Sequence, residues 1–244
     1  MTRPERIATD AQKTIGKRQF VGFSFFKVDP AWRRLEAAER VRGKKEFAAV
    51  IEKFTGDKRL MILPYTTVGM RADTEIMLWR IGYSLEAVQE NTTQLLATGL
   101  GRYLTCTQNF LAMTKRSTYI DKLDPLHQED RMHIIPGQMK YIFVYPFVKS
   151  RDWYLKPHGE RQRIMDEHIR VGSKYQSVKL NTTYSFGLDD QEFVVAFETD
   201  HPEDFLDLVM ELRETEGSKY TLRDTPIFTC IAKSVPEMLD SLGG

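Results

Sequence analysis

Residues 177–200, SVKLNTTYSFGLDDQEFVVAFETD, predict two β-strands joined by a turn around residues 188–191. A strand and a helix flank this hairpin on each side. They are the strand MKYIFVYPFVKS (139–150), a helix from 157 to 171, the helix PEDFLDLVMELRETE (202–216) and the strand PIFTCIAKS (226–234). The order β-α-β-β-α-β is that of a ferredoxin-like unit, which we expect residues 139–244 to form.

The same order of elements occurs in residues 18–113. Its members are the strand 19–29, a helical stretch 30–54, the strands 59–69 and 74–83, the helix 84–100 and the strand 102–113. Corresponding elements of the two halves lie about 118–124 residues apart, which is the mark of an internal repeat. The sequence therefore predicts an α+β fold with two tandem ferredoxin-like units, of the dimeric α/β-barrel type.

Two further segments complete the predicted organisation. Residues 1–17 form a polar N-terminal extension, and residues 114–138 form a connecting segment between the two units. The connecting segment is polar and has no clear period. A connection of this length in a compact protein is usually functional or mobile, so we expect it to cover a pocket and to be mobile without ligand.

The composition is that of an ordinary globular protein, with 41% hydrophobic and 28% charged residues. The 35 Lys and Arg against 34 Asp and Glu give a net charge of +1, so the basic surface of a nucleic-acid-binding protein is not expected. Both cysteines, Cys106 and Cys230, lie in apolar strand-like runs, which predicts buried, reduced thiols in a cytoplasmic protein. No apolar run is long enough to predict a membrane span.

His168 is the first candidate for chemistry. On the helix 157–171 it shares a face with Ile164 and Val171, so its side chain is expected to point inward. A single histidine on such a face is either a hydrogen-bonded core residue or a ligand, and its spacing does not distinguish the two. None of the five histidines has HxxxH or HExxH spacing, which argues against a zinc site.

Tyr145, Lys149 and Trp153 follow one another at intervals of four residues. One interpretation is an amphipathic strand whose tyrosine and lysine reach the surface. In the other, Tyr145 and Lys149 face a cavity from the same side of the strand and form a redox or acid–base pair. A lysine ammonium near the phenol would favour the phenolate.

The predicted hairpin contributes further candidates. Alternation places Val178, Leu180 and Thr182 on one face, where Leu180 is expected to belong to the core. The adjacent Asp189 and Asp190 lie at the turn, where neighbouring carboxylates point into water, so we predict no catalytic dyad there.

Five runs of sequence resemble the chlorite dismutase-like haem proteins and, within them, the coproheme decarboxylases, also called hydrogen-peroxide-dependent haem synthases. These runs are YPFVKSRDWY (145–154), MDEHIRVGSKY (165–175), VKLNTTYSFGLDDQEFVVAFE (178–198), LRETEGSKY (212–220) and TPIFTC (225–230). The resemblance covers nearly the whole chain, and the fold it implies agrees with the repeat deduced above.

The resemblance implies a role for each of several residues. His168 matches the proximal iron ligand, Tyr145 the tyrosine that becomes a radical and oxidises a propionate, and Lys149 a lysine that assists at the second propionate. The remaining positions match residues that contact the cofactor or its propionates: Trp153, Leu180 at the distal position, Ser218, Tyr119 and Arg131.

The resemblance also implies the ligands and partners. Iron coproporphyrin III (coproheme) would be both substrate and cofactor, and haem b would be the product, reached through a three-propionate intermediate. Hydrogen peroxide would be the oxidant. The expected assembly is a homopentamer that makes a transfer contact with a ferrochelatase in the cytoplasm.

Leu180 departs from the family pattern. It stands where chlorite dismutases carry a distal arginine, and the decarboxylases often have glutamine or alanine there. Without a guanidinium, a chlorite anion loses charge-assisted hydrogen bonds that are worth about 1.5–3 kcal/mol each. Chlorite chemistry is therefore not expected.

Three hypotheses follow from the sequence. The first is a coproheme decarboxylase. The second is a haem-binding carrier, sensor or weak peroxidase without decarboxylase activity. The third is an interaction module that binds no porphyrin, in which His168 is a core histidine.

Overall fold

The computed structural model describes residues 17–119 and 132–243, and within them it contains nine strands and six α-helices. In chain order these are β1 (Phe20–Val28), α1 (Ala37–Gly56), β2 (Leu60–Thr66), β3 (Ile76–Gly82), α2 (Leu85–Ala97), β4 (Leu104–Met113), β5 (Tyr141–Lys149), α3 (Arg151–Leu155), α4 (His158–Gly172), β6 (Lys179–Tyr184), β7 (Phe193–Thr199), α5 (Pro202–Arg213), β8 (Thr221–Arg223), β9 (Phe228–Ala232) and α6 (Val235–Asp240).

The strands close into a barrel. The first half has the strand order β4-β1-β3-β2 and the second half the order β9-β5-β7-β6, which is one ferredoxin-like arrangement used twice. Strand β2 pairs with β9 through Tyr65 and Thr66, and β4 pairs with β6 through Met113. The eight strands therefore form a ring, with the short β8 added beside β5. This confirms the predicted α+β class and the barrel type.

The barrel interior is filled by aromatic and aliphatic side chains from both halves. Phe25 of β1 stacks on Phe228 of β9 with ring centroids 3.9 Å apart, and Phe23 stacks on Trp79 at 5.4 Å. All four rings are at most 1% exposed. Because the two half-sheets share this interior, each half buries its apolar face against the other.

The helices cover the outside of the barrel. In the first half, α1 contributes Phe47, Ile51 and Phe54 to a second apolar cluster against the sheet. In the second half, Phe205 of α5 stacks on Phe143 of β5 with centroids 4.0 Å apart. The outer face of this second half-sheet carries the residues singled out in the sequence.

Two sequence-based expectations are corrected. The helical stretch 30–54 is two elements, because Leu35 is extended between a 3₁₀ turn at Pro30–Arg34 and α1. Cys230 is buried, but Cys106 is exposed. Its neighbours Thr105 and Thr107 are exposed as well, because this half of β4 pairs with β1 on one side while β6 meets β4 only at Met113.

Both ends of the predicted connecting segment are held against the barrel. The amide of Thr114 donates to the carbonyl of Gln19 at 2.9 Å, and the amide of Ile134 donates to Gln19 Oε1 at 2.6 Å. Residues 120–131, with the candidate Arg131, lie outside the described residues, so the expectations for them stay predictions. Nowhere in the described part of the chain is a helix both long and apolar enough to span a membrane.

Candidate active site

Helix α4 presents His168 toward the outer face of the second half-sheet. Ile164, one turn earlier, and Val171 are buried, and the histidine between them is half-buried. Burial of the ring lowers the pKa of His168 to about 4, the charge of Lys149 lowers it further, and Glu167 opposes the shift. The imidazole is therefore neutral at pH 7 and keeps a lone pair for a metal.

A 3₁₀ turn at Glu216–Tyr220 is fixed against α4. Glu167 Oε2 accepts a hydrogen bond from the amide of Glu216 at 3.0 Å, and Arg163 pairs with the Glu216 carboxylate at 2.8 Å. Ser218, in this turn, donates its hydroxyl to the carbonyl of Thr215 at 2.8 Å. The turn thus brings Ser218 to the side of the helix that carries His168.

Lys149 lies at the end of β5, close to the same turn. Its Nζ donates to the carbonyl of Gly217 at 3.1 Å and lies 4.5 Å from the centroid of the Trp153 ring. Burial lowers the pKa of Lys149 to about 8, although Glu192 opposes the shift. The amine is thus a proton donor that titrates just above neutral pH.

Tyr145 lies in the middle of β5, and its ring stacks on Phe197 with centroids 5.9 Å apart. Burial raises its pKa, Asp224 raises it further, and Arg213, which is paired with Asp224 at 2.5 Å, opposes the shift. The charges that act on Tyr145 come from this ion pair rather than from Lys149, and the net shift favours the protonated phenol. The phenol is protonated at neutral pH.

Tyr145 and Lys149 do not form a contact pair, because four residues of strand span about 13 Å. They share one side of β5 and are separated by a distance on the scale of a porphyrin ring. Such an arrangement suits a large flat ligand that meets the two side chains at different points.

Trp153 and Tyr119 belong to an aromatic cluster beside Lys149. The buried Trp153 ring contacts Tyr119 at 6.0 Å and Tyr220 at 5.5 Å between centroids. Tyr119 also stacks on His158 at 6.0 Å. The structure therefore groups Trp153, Tyr119 and Lys149 at one end of the site.

Leu180 is not a core residue, which corrects the expectation from the hairpin pattern. Its side chain is 48% exposed on β6, and in the strand register it lies opposite Phe197, the residue that stacks on Tyr145. Side chains do alternate along β6, but the buried face is the one that carries Asn181 and Thr183. Phe186 and Leu188, which follow β6 in the chain, are also nearly half exposed, so several apolar side chains of this half are uncovered.

Sequence reasoning missed one carboxylate of the site. Glu192, only 8% exposed, accepts hydrogen bonds from the backbone amide of Lys149 at 2.8 Å and from the Tyr154 hydroxyl at 2.5 Å. It fixes the end of β5 and acts on the Lys149 ammonium. Glu192 follows directly after the turn residues 188–191, and no periodic pattern in the sequence distinguishes Glu192 from these turn residues.

These residues fit an iron porphyrin. The neutral His168 offers a nitrogen ligand, the surface around Leu180 is apolar, and Lys149 and Ser218 are polar donors. Arg161, two helical turns before His168, has a buried Nε without a hydrogen-bond partner in the described residues, as expected of a group that awaits a carboxylate. No cluster of three or more His, Cys, Asp or Glu side chains among the described residues could hold a bare ion.

Comparison with known proteins agrees with this picture. Residues 15–233 match the family model described as chlorite dismutase. The coproheme decarboxylase of Mycolicibacterium smegmatis is 31% identical over 226 residues, covering 92% of this chain and 94% of the relative. The chlorite dismutase of Ideonella dechloratans is 29% identical over 208 residues, covering 84% and 72%.

A solved structure is similar over almost the whole chain. The chlorite dismutase of Candidatus Nitrospira defluvii in complex with imidazole superposes with a TM-score of 0.83 at 25% identity, covering 95% of this chain and 98% of that one. The family model spans most of the sequence, and the M. smegmatis relative exceeds 30% identity over nearly its full length. This protein belongs to the chlorite dismutase family.

Proposed function

We propose that this protein is a coproheme decarboxylase, which converts two propionates of iron coproporphyrin III into vinyl groups with hydrogen peroxide and yields haem b. The observation that carries the proposal is that α4 and β5 pack together through Val171 and Tyr145, which places the half-buried His168 and the buried Tyr145 on one face of the second half-sheet. The 31% identical coproheme decarboxylase supports the same activity.

The first task of the chain is to hold the porphyrin. His168 would bind the iron, and Lys149, Ser218 and Arg161 would bind propionates, with Trp153 and Tyr119 packed beside them. Arg131 and the other residues of the connecting segment complete the proposed set. The bound iron porphyrin would supply the oxidising chemistry that peroxide drives.

Tyr145 would pass the oxidising equivalent to the substrate. Its phenol stays protonated because it is buried, so it loses a hydrogen atom rather than starting as an anion. The resulting radical would take a hydrogen atom from a propionate carbon. Each propionic acid group then consumes one hydrogen peroxide and gives a vinyl group, one CO2 and two waters.

Lys149 would supply a proton and a positive charge near a reacting carboxylate. Its pKa of about 8 lies close to the working pH, which is where a general acid is most effective. Glu192 holds the backbone of Lys149 in place. The position of Lys149, about 13 Å along the strand from Tyr145, suits a second propionate rather than the first.

A haem-binding protein without decarboxylase activity is the second candidate. The observation that favours it is Leu180, which offers no hydrogen bond to a distal ligand and leaves an exposed apolar surface instead. The chlorite-degrading activity named for two of the relatives is not proposed, because Leu180 lacks the charge that would bind the anion. The proposal includes a homopentamer in the cytoplasm that contacts a ferrochelatase.

The deciding experiment loads the protein with ferric coproporphyrin III, titrates hydrogen peroxide and follows the porphyrin by mass spectrometry. We expect stepwise loss of two carboxyl groups through a three-propionate species. Tyr145→Phe should bind coproheme with the parent affinity and stop turnover, whereas Tyr141→Phe on the same strand should turn over normally. Bleaching without loss of CO2 would favour the second candidate.

A further inference from the structure

A cavity of about 330 Å³ lies in the first half of the chain, between the outer face of the sheet and helix α2. Its floor is formed by Ser24, Phe26 and Arg80, each at most 2% exposed. Exposed residues of α2 and β4 line its rim, among them Leu96 and Cys106. The volume is that of a small-molecule site, and it lies on a different half of the barrel from His168.

Arg80 is the charged group of this cavity, and its hydrogen bonds all go to neutral partners. Its Nη1 donates to Thr92 Oγ1 at 2.6 Å, and its Nη2 donates to Ser24 Oγ. Its Nε is buried and has no partner in the described residues, and the same is true of Nδ2 of the fully buried Asn91 beside it. The Arg80 side chain, which lines the cavity, therefore carries one donor that the described residues leave unsatisfied.

No carboxylate among the described residues balances this charge. Burial lowers the pKa of Arg80 to about 10, and among the described residues the Cys106 thiol is the one titratable group that acts on it. A buried, unpaired guanidinium is strongly unfavourable, and proteins normally pair such a group with an anion. The cavity beside Arg80 offers space for that anion.

We propose that this cavity binds a small organic monocarboxylate, with its carboxylate on Arg80 and its apolar body against Phe26, Val88 and Leu96. Among the described residues that line the cavity, Arg80 is the one cation, so a monoanion balances its charge and a dianionic phosphate does not. The hydroxyl and amide side chains of Thr92, Thr93 and Asn109 add neutral hydrogen-bonding groups around the mouth.

Cys106 provides a direct reporter of occupancy. It lines the cavity and is exposed, whereas Cys230, the second of the two cysteines, is buried in the barrel. Alkylation of the native protein by iodoacetamide should therefore modify Cys106 alone. At a butyrate concentration ten times its Kd, the alkylation rate should fall about tenfold, because only the free form reacts.

Three additives test the chemistry of the site. Butyramide, the neutral isostere, and sodium chloride at equal ionic strength should leave the rate unchanged. Protection by butyramide equal to that by butyrate, or no protection by butyrate at any concentration, would overturn the proposal. Stronger protection by inorganic phosphate than by butyrate would overturn the monocarboxylate assignment.

Two variants locate the binding. Arg80→Met should abolish the effect of butyrate while coproheme loading is unchanged, since Arg80 is remote from His168. If Arg80→Met fails to fold, Leu96→Trp at the exposed rim serves instead and should weaken the butyrate effect at least tenfold. Full butyrate protection in Leu96→Trp would place the ligand elsewhere and refute the site.

Discussion

Acid should destabilise the apo protein through His168, and the effect can be worked out from its surroundings. The native pKa is about 4 against an ordinary value of 6.5, so the neutral ring is favoured by folding. The contribution of the neutral His168 ring to the free energy of unfolding is fully present above pH 6.5 and is lost as the pH falls toward 4. Between pH 7 and pH 5, the linkage relation gives a loss of about 2 kcal/mol in the free energy of unfolding.

The assay is urea unfolding of the apo protein at pH 7 and pH 5, at one protein concentration, for the parent and for His168→Gln. The variant should lose about 2 kcal/mol less than the parent over this range. His201→Gln is the matched control, because the His201 side chain is 59% exposed and its contact with Glu203 is a surface pair. The reasoning fails if His168→Gln keeps the pH dependence of the parent.

Three further predictions concern the proton donor, the distal surface and the barrel core. The decarboxylation rate should fall as the pH rises through about 8, because Lys149 loses its proton there. Lys149→Met should remove this limb of the pH–rate profile without altering the coproheme absorbance spectrum. Leu180→Arg should tighten fluoride binding to the ferric haem complex by about one to two orders of magnitude, because one charge-assisted hydrogen bond is worth that much. An unchanged fluoride titration would show that Leu180 does not lie at the distal site. Phe228→Ala should lower the free energy of unfolding by about 3–5 kcal/mol, because it removes a buried ring stacked on Phe25. In the same urea titration, the control Leu222→Ala, at a 72% exposed position, should change the free energy of unfolding by less than about 0.5 kcal/mol.

Periodicity and the repeat predicted the elements that local sequence determines. The strands of both halves and the helix that carries His168 were found close to their predicted bounds. The sequence did not predict which strands pair to close the ring. Tyr65 and Ala232 pair across 167 positions of the chain, and no local pattern extends that far.

The candidate site shows where residue-level reasoning reaches its limit. Alternation separated the two faces of β6 but took the wrong one as the core, and it left open whether Tyr145 reaches the surface or a cavity. Leu180 proved half exposed, and Tyr145 proved to face Arg213 and Asp224, which follow it by more than 60 residues. Burial and long-range charge determine both outcomes, and neither is encoded in spacing.

The closed ring also bears on how the chain reaches its native state. Strand β4 meets β6 through a single residue pair and β2 meets β9 through two, so the seams between the halves are short while the shared interior is large. A half made alone would expose both seams and one whole apolar face, which are features that drive association between strand edges. Fragments divided within residues 120–131 should therefore aggregate separately and complement each other when they are refolded together. We therefore expect the second ferredoxin-like unit, once synthesised, to cover the surfaces through which the first would otherwise aggregate.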